Sequence, residues 1–151
     1  MTNLPATRNT ANKLQRAIGL LAALGIIDAF YLTWIKIMGT TCAGFGDCKT
    51  AQSSMYSDIS GVPVAALGLA MYSLIGVLVW LEAHRPAGTE WLQLAVFGLA
   101  LVGLIFSGWL TYVQIAILQA ICPYCAVSAM LISAIFTLSA IDLVRGQILT
   151  E

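Results

Sequence analysis

Two pairs of cysteines equip this chain for thiol–disulfide chemistry. The 151 residues include four cysteines, spaced as C-x5-C and C-x2-C: Cys42, Cys48, Cys122 and Cys125. The second pair encloses a Pro-Tyr, and C-x2-C motifs of this kind are typical of dithiol redox centres. Pro123 suits the first position of a helix, where free N–H groups and the helix dipole stabilise a thiolate. The spacing therefore predicts a reactive thiol pair at the start of a helix.

Three other uses of the four cysteines fit the sequence less well. A zinc site usually takes two tightly spaced pairs, and C-x5-C is wide for that pattern. A static disulfide across two residues constrains the unfolded chain little, although inert staples remain the alternative. A soluble glutaredoxin-type domain places its motif after a strand, whereas this motif lies between two apolar runs. The pattern favours a membrane dithiol relay, and we expect no metal site.

The elements around these cysteines are predicted to be membrane helices. The chain is 60% hydrophobic and 9% charged, whereas soluble domains carry about 25% charged residues. Four stretches are long enough to cross a bilayer, which needs about 20 apolar residues. They are Ala17–Ile35, Val62–Leu81, Trp91–Ala120 and Ala126–Ile141, the last extended at its start by residues 122–125. We predict an all-α integral membrane protein, a bundle of four transmembrane helices.

Between the first two of these helices we expect a short outer-face helix over residues 48–56, lying as a lid on the bundle. The predicted organisation is a mobile cytoplasmic N-terminus at 1–15, one membrane domain at 16–145 and a cytoplasmic tail at 146–151. Net charge is zero and no basic stripe is present, so a nucleic-acid partner has no support.

The distribution of Lys and Arg predicts the orientation of the helices, because these residues concentrate on the cytoplasmic side. One side carries five of them: Arg8, Lys13, Arg16, Arg85 and Arg145. The other side carries two: Lys36 and Lys49. Both termini should therefore be cytoplasmic, and all four cysteines should lie on the outer, oxidising face.

Two residues inside the membrane bear on the chemistry. Cys125 lies one helical turn inside the CPYC helix, where a lipid-soluble two-electron acceptor such as a quinone could reach it. Asp28 lies in mid-span, where a carboxylate is costly and normally faces the bundle interior. We favour a structural role for Asp28, protonated or bonded to a nearby hydroxyl, over a proton relay.

These residues together resemble a known family. The chain reads C-x5-C-K-T-A-Q-S-S-M-Y in its outer loop, G-V-P before the second helix, G-L-x-x-Y at 68–72 and CPYC at the fourth. This ordered combination resembles the vitamin K epoxide reductase family in its prokaryotic form, over about residues 15–145. The resemblance implies a four-helix bundle around a quinone, and we expect a homologue without a fused thioredoxin-like domain.

The resemblance also implies roles for the cysteines. Cys125 matches the cysteine beside the quinone, and Cys122 matches its partner, which exchanges with the loop. Cys48 matches the loop cysteine that attacks the CPYC disulfide, and Cys42 matches the one that meets an external protein. Ser54 matches a hydroxyl residue near the quinone head group.

Five further positions are expected to contact the quinone: Phe30, Val64, Gly68, Tyr72 and Ala129. Val64 and Ala129 stand where the vertebrate enzymes have polar anchors, an Asn and a Tyr. The resemblance therefore implies quinone reduction rather than epoxide reduction.

The function that the resemblance implies is that of a membrane thiol:quinone oxidoreductase. Electrons would pass from a thioredoxin-fold (DsbA-like) protein on the outer face to a quinone of the menaquinone or ubiquinone class. The expected location is the cytoplasmic (inner) membrane of a bacterium or archaeon, with the bilayer and its quinone as partners. A structural or adaptor membrane protein with two inert disulfides is the alternative.

Overall fold

Helices account for nearly all of the described chain. The computed structural model describes residues 4–40, 48–84 and 90–150. In chain order the elements are α1 Leu4–Met38, α2 Cys48–Ser53, a 3-10 turn Met55–Ser57, strands β1 Asp58–Ile59 and β2 Val62–Pro63, α3 Val64–His84, α4 Glu90–Tyr112, a π-helical turn Val113–Leu118 and α5 Pro123–Thr150.

Four of the helices in the described ranges are long and apolar enough to cross a membrane, as the sequence predicts. The spans are Asn12–Met38, Val64–His84, Glu90–Leu118 and Pro123–Arg145. Helix α1 packs against α3 and α5, and α4 packs against the same two helices, so the four form a closed bundle. Large apolar side chains cover its outside, as lipid requires; they include Leu20, Trp80, Ile105 and Met130.

Small residues allow the helices of the bundle to approach each other closely. Ala22 and Ala100 are fully buried, and Ile75 and Ile135 fill the space between them. Gly25 of α1 lies against the ring of Tyr72 from α3, and a Cβ atom at Gly25 would come within 2.5 Å of that ring. This contact fixes how closely α1 and α3 pack.

Helices extend to both ends of the described chain. Helix α1 begins at Leu4, within the predicted N-terminal segment 1–15, and α5 continues to Thr150, within the predicted tail 146–151. Residues 4–16 contain Leu, Ala, Lys, Gln and Arg, which all have high helix propensity. Pro5 is tolerated in a first turn. Polarity ends the membrane span there without ending the helix.

The third apolar stretch is interrupted where a continuous helix was expected. After Tyr112 the helix widens into a π-helical turn over Val113–Leu118 and ends at Gln119, whose φ of 50° is left-handed. A continuous helix of 30 residues would reach about 45 Å, beyond the ~30 Å apolar core of a bilayer. The turn ends the span and redirects the chain into the CPYC motif.

A short hairpin that the sequence analysis did not predict follows the 3-10 turn. Ile59 pairs with Val62, and the turn residues Ser60 and Gly61 have φ values of 53° and 84°. Two successive left-handed residues are what a type I′ hairpin turn requires, and Ser-Gly is a known signal for it. The expected helix over 48–56 is close to the observed α2 and its 3-10 turn.

Candidate redox site

The site is built around a contact between two cysteine sulfurs from distant parts of the chain. Cys48 begins α2 and is part of a disulfide, whereas Cys122 and Cys125 are free thiols. The Cys122 sulfur lies 3.7 Å from the Cys48 sulfur, and Cys122 is fully buried. This contact distance allows thiol–disulfide exchange between α2 and the CPYC motif. Cys42 lies outside the described residues.

The start of α5 positions the CPYC sulfurs. Pro123 is the first helical residue, as predicted, and the Ala126 N–H donates to the Cys122 carbonyl at 3.1 Å. Cys122 thus occupies the N-cap position, and the Cys125 N–H donates to its sulfur at 3.4 Å. Leu32 and Ile35 of α1 pack with Cys122 and Cys48 in one buried apolar cluster.

These donors favour the thiolate of Cys122. Hydrogen bonding from the Cys125 thiol, and then from backbone N–H groups of Cys125 and Tyr124, lowers the Cys122 pKa from 9.0 to about 7, against the opposing effect of burial. A larger thiolate fraction at neutral pH makes Cys122 the better nucleophile of the pair. The expected cysteine of lowered pKa at the helix start is therefore Cys122.

We expect the thiolate absorbance near 240 nm to rise around pH 7 in protein whose CPYC pair is reduced, because the Cys122 pKa is about 7. The measurement is a pH titration of wild type minus Cys122→Ser, in which all other thiols cancel to first order. A difference spectrum that stays flat below pH 8 would contradict the assignment.

Beneath the cysteines the bundle contains a cavity of about 320 Å³, and Cys125 lines it. This volume lies within the usual range of small-molecule sites, roughly 300–1,000 Å³. Most of the lining is apolar and comes from α1, α3, α4 and α5; it includes Leu32, Val64, Leu67, Met71, Val102, Phe106 and Leu110. Residues of α2 and the 3-10 turn, among them Ser54 and Tyr56, cover the outer end.

A few polar groups project into this apolar cavity. Asp28 has a buried Oδ2 atom with no hydrogen-bond partner among the described residues. The Tyr72 hydroxyl donates to the Ser128 carbonyl at 2.9 Å, which joins α3 to α5 at the cavity wall. Gln114, from the π-helical turn, also lines it. An apolar cavity with a few convergent polar groups next to a reactive thiol is typical of a site for a small lipophilic redox molecule.

Comparison with known proteins agrees with this geometry. Residues 16–140 match the vitamin K epoxide reductase family. The chain belongs to this family. The thiol-disulfide oxidoreductase LTO1 of Arabidopsis thaliana is 30% identical over 131 residues, covering 82% of this chain and 35% of that protein. The chain thus spans about a third of the length of that relative.

Membership of the vitamin K epoxide reductase family confirms the resemblance drawn from the motifs and agrees with the helical membrane bundle. Together with the name of the relative, it supports a thiol oxidoreductase role for the cysteines. The relative's activity as a whole protein belongs to a chain about three times longer, so finer statements about this chain are proposals.

The structure brings four of the six expected quinone-contact residues to the cavity: Ser54, Val64, Gly68 and Tyr72. Phe30 is placed elsewhere: it is 55% exposed on the outside of α1 and stacks on Trp34. Ala129 does not line the cavity, and its neighbour Ser128 does. Successive helical residues are rotated by about 100°, so an error of one position moves a side chain off the wall.

Three polar lining residues of α4 and its π-helical turn escaped the sequence analysis: Ser107, Thr111 and Gln114. Their signal was available, because polar residues inside a membrane span normally face the bundle interior. They were passed over because the stretch has no charged residue.

Lys36, at the outer end of α1, anchors the lid formed by α2, the 3-10 turn and β1. Its ammonium group donates to the Gln52 carbonyl, the Ser57 hydroxyl and the Asp58 carboxylate, the last at 3.0 Å. The lid carries Cys48, so the same contacts hold Cys48 over Cys122.

We expect Lys36→Met to expose Cys122, because the lid loses three hydrogen bonds, one of which is the ion pair with Asp58. N-ethylmaleimide should label Cys122 roughly fivefold faster, as expected for a loss of about 1 kcal/mol in a partly exposed cluster. Labelling can be followed by peptide mass spectrometry. Lys49→Met, which removes an exposed charge from the same lid, is the matched control. Equal labelling of both variants would show that Lys36 does not hold the lid.

Proposed function

We propose that this protein is a membrane thiol:quinone oxidoreductase. It takes electrons from a thioredoxin-fold protein and passes them through two cysteine pairs to a membrane quinone, which drives disulfide formation in exported proteins. One observation carries the proposal: one cysteine of the CPYC pair contacts the lid cysteine, and the other lines the apolar cavity. The Cys122 sulfur meets the Cys48 sulfur of the lid at 3.7 Å, and Cys125 lines the apolar cavity.

The residues around the cavity fit a quinone ring. The apolar walls accept a flat lipophilic ring, and the Tyr72 and Ser54 hydroxyls in the wall already donate to the carbonyls of Ser128 and Ala51. When bound, the quinone supplies an acceptor for two electrons and two protons. A quinone of the menaquinone or ubiquinone class diffuses within the bilayer, so it could enter between the helices. The absence of the vertebrate polar anchors at Val64 and Ala129 favours quinone over epoxide reduction.

The cysteines perform two exchange steps in this scheme. A partner dithiol reduces the Cys42–Cys48 disulfide and is itself oxidised. The Cys48 thiolate then attacks the Cys122 sulfur of the CPYC disulfide, so a Cys48–Cys122 bond forms and Cys125 leaves as thiolate. Cys42 attacks Cys48 and releases Cys122. The Cys122–Cys125 dithiol closes again as a disulfide when it gives two electrons to the acceptor.

The sulfur contact supports this order because exchange is reversible along one path. The arrangement with Cys48 disulfide-bonded and both CPYC thiols free corresponds to one state of the scheme, the one that follows the attack of Cys42 on Cys48 and precedes transfer of the electrons to the acceptor.

Asp28 is the proposed holder of a proton at the cavity wall. The Thr33 hydroxyl donates to the Ala29 carbonyl at 2.7 Å and not to Asp28, so that structural partner is taken. The unpartnered Oδ2 faces the cavity, and a protonated carboxyl there can hydrogen-bond a ring oxygen. This placement favours the proton relay over the structural role that the sequence analysis preferred.

The orientation and location follow from charge. Of the basic residues assigned to the inner side, Arg8 precedes the first span and Arg145 ends the last one. Lys13 and Arg16 lie in the first two turns of the first span, so both termini are proposed to be cytoplasmic. The lid, Lys36 and the cysteines then face the outer side of a bacterial or archaeal cytoplasmic membrane. The proposed electron donor is a thioredoxin-fold (DsbA-like) protein on that outer side.

The test is quinone reduction by purified protein in detergent, with either a reduced thioredoxin-fold protein or dithiothreitol as donor. Loss of quinone absorbance is expected with both donors. Cys42→Ser should stop the protein donor but spare dithiothreitol, which can reach the inner pair. Thr137→Ala, exposed on α5, should behave like wild type. If the absorbance of menaquinone and ubiquinone analogues does not change, the proposal is wrong and the alternative of two inert structural disulfides is favoured.

A further inference from the structure

Gln114 joins the end of α4 to the CPYC motif. Its backbone carbonyl accepts the N–H groups of Gln119 and Ala120, the latter at 3.1 Å. Its side-chain Oε1 accepts the N–H of Cys122 at 3.1 Å. One residue thereby satisfies three donors of the segment that presents the motif.

The bond to Cys122 has no evident substitute. Cys122 is fully buried, and a buried N–H without an acceptor is costly. The next residue is Pro123, which has no N–H and cannot continue the pattern. The π-helical turn displaces Gln114 from the regular helix phase, and such turns frequently occur at functional sites.

The same side chain shares the cavity with Cys125, because Gln114 and Cys125 both line its wall. Since Oε1 is engaged with the Cys122 N–H, the NH₂ group is the end of the amide left to donate in the cavity. The two sulfurs thus have different neighbours: the Cys125 N–H donates to the Cys122 sulfur, whereas the Cys125 side chain lies in the cavity that Gln114 lines.

We propose that Gln114 is a catalytic residue of the relay, whose side-chain NH₂ stabilises the Cys125 sulfur as it leaves. This inference rests on the proposed relay. When the Cys48 thiolate attacks the Cys122 sulfur, the Cys48–Cys122 bond forms and the Cys122–Cys125 bond breaks. The electron pair of the broken bond goes to the Cys125 sulfur, which gains negative charge in an apolar cavity. A donor aimed at that sulfur lowers the barrier, because hydrogen bonds to charged groups are the strong ones.

The discriminating variant is Gln114→Glu, which keeps the acceptor for Cys122 and replaces the donor at Cys125 by a carboxylate. The readout is opening of the Cys122–Cys125 disulfide by dithiothreitol without quinone, in full-length protein, counted by maleimide labelling and mass spectrometry. At pH 8 we expect opening to slow by roughly tenfold or more, the size of a lost charge-assisted hydrogen bond. As the pH falls, the introduced carboxyl takes up a proton and can donate again. The difference in opening rate between Gln114→Glu and wild type should therefore become smaller.

Gln119→Glu is the matched control, since the same charge enters the same turn at a residue whose contribution to the turn is a backbone bond. If both variants slow alike, the effect is general electrostatics and the proposal is wrong. The proposal would also be wrong if the disulfide of Gln114→Glu opened at the wild-type rate at every pH. If Gln114→Glu does not fold, Gln114→Asn keeps an amide too short to reach, and slow opening at all pH values is expected; wild-type opening would again overturn the proposal.

The assay separates this inference from the proposed function, because it contains no quinone. If Gln114→Glu slows disulfide opening in a protein that never reduces quinone, the inference about Gln114 stands and the proposal of quinone as electron acceptor is wrong. Quinone reduction with no Gln114 effect would do the reverse.

Discussion

Cys125→Ala is expected to reduce quinone no faster than a sample without protein, and to accumulate a Cys48–Cys122 disulfide. The first loss follows because the CPYC pair delivers its two electrons by closing a disulfide, and one sulfur cannot close. The second follows from the 3.7 Å contact: the Cys122 thiolate attacks the oxidised Cys48, Cys42 leaves as a thiolate, and alkylation of Cys42 then traps the Cys48–Cys122 bond, which no Cys125 thiol can open.

Non-reducing peptide mapping after rapid alkylation measures the trapped bond. Cys122→Ala is the control, because it should lose quinone reduction equally and form no such bond. Retention of quinone reduction in Cys125→Ala would end the relay scheme. Loss of activity with no trapped bond would instead show that α2 and the CPYC motif do not exchange directly.

Gly25→Ala is expected to destabilise the bundle and to weaken quinone binding. The new methyl group would lie 2.5 Å from the ring of Tyr72, which is 2% exposed and whose hydroxyl is tied to Ser128. The ring cannot turn away without losing that bond, so α1 and α3 must separate. Overpacking of this kind lowers the free energy of unfolding by about 1–3 kcal/mol. Because Tyr72 lines the cavity, the quinone KM should rise as well.

Thermal unfolding in detergent measures the first effect, and quinone titration measures the second. Gly98→Ala on α4 is the matched control, since nothing lies within 4 Å of its added methyl group and Ala favours a helix. An unchanged melting temperature for Gly25→Ala would show that the α1–α3 contact is looser than the structure has it.

Local chemistry explains what could be predicted without the fold. Apolar runs bounded by charges identify four spans, because a bilayer admits few other residues. Pro123 and the two flanking cysteines mark a helix start whatever surrounds it, and α5 begins there. The order of the cysteine motifs was sufficient to indicate the family.

The sequence was less informative about helix faces. In a soluble protein a polar stripe identifies the outside of a helix, but in lipid both the outside and the interior are apolar. Phe30 and Asp28 are therefore equally plausible wall residues by pattern, and only the packing of α1 against α3 and α5 turns Asp28 inward and Phe30 outward.

The sequence by itself determined the spans, the CPYC helix start and the set of four cysteines. Only the tertiary structure decided that Cys48 meets Cys122 across 74 residues and that Gln114 binds the Cys122 N–H beside the cavity that Cys125 lines. The reason is physical: spans and helix starts depend on neighbours in the chain, whereas these contacts depend on how the lid, the π-helical turn and α5 pack together.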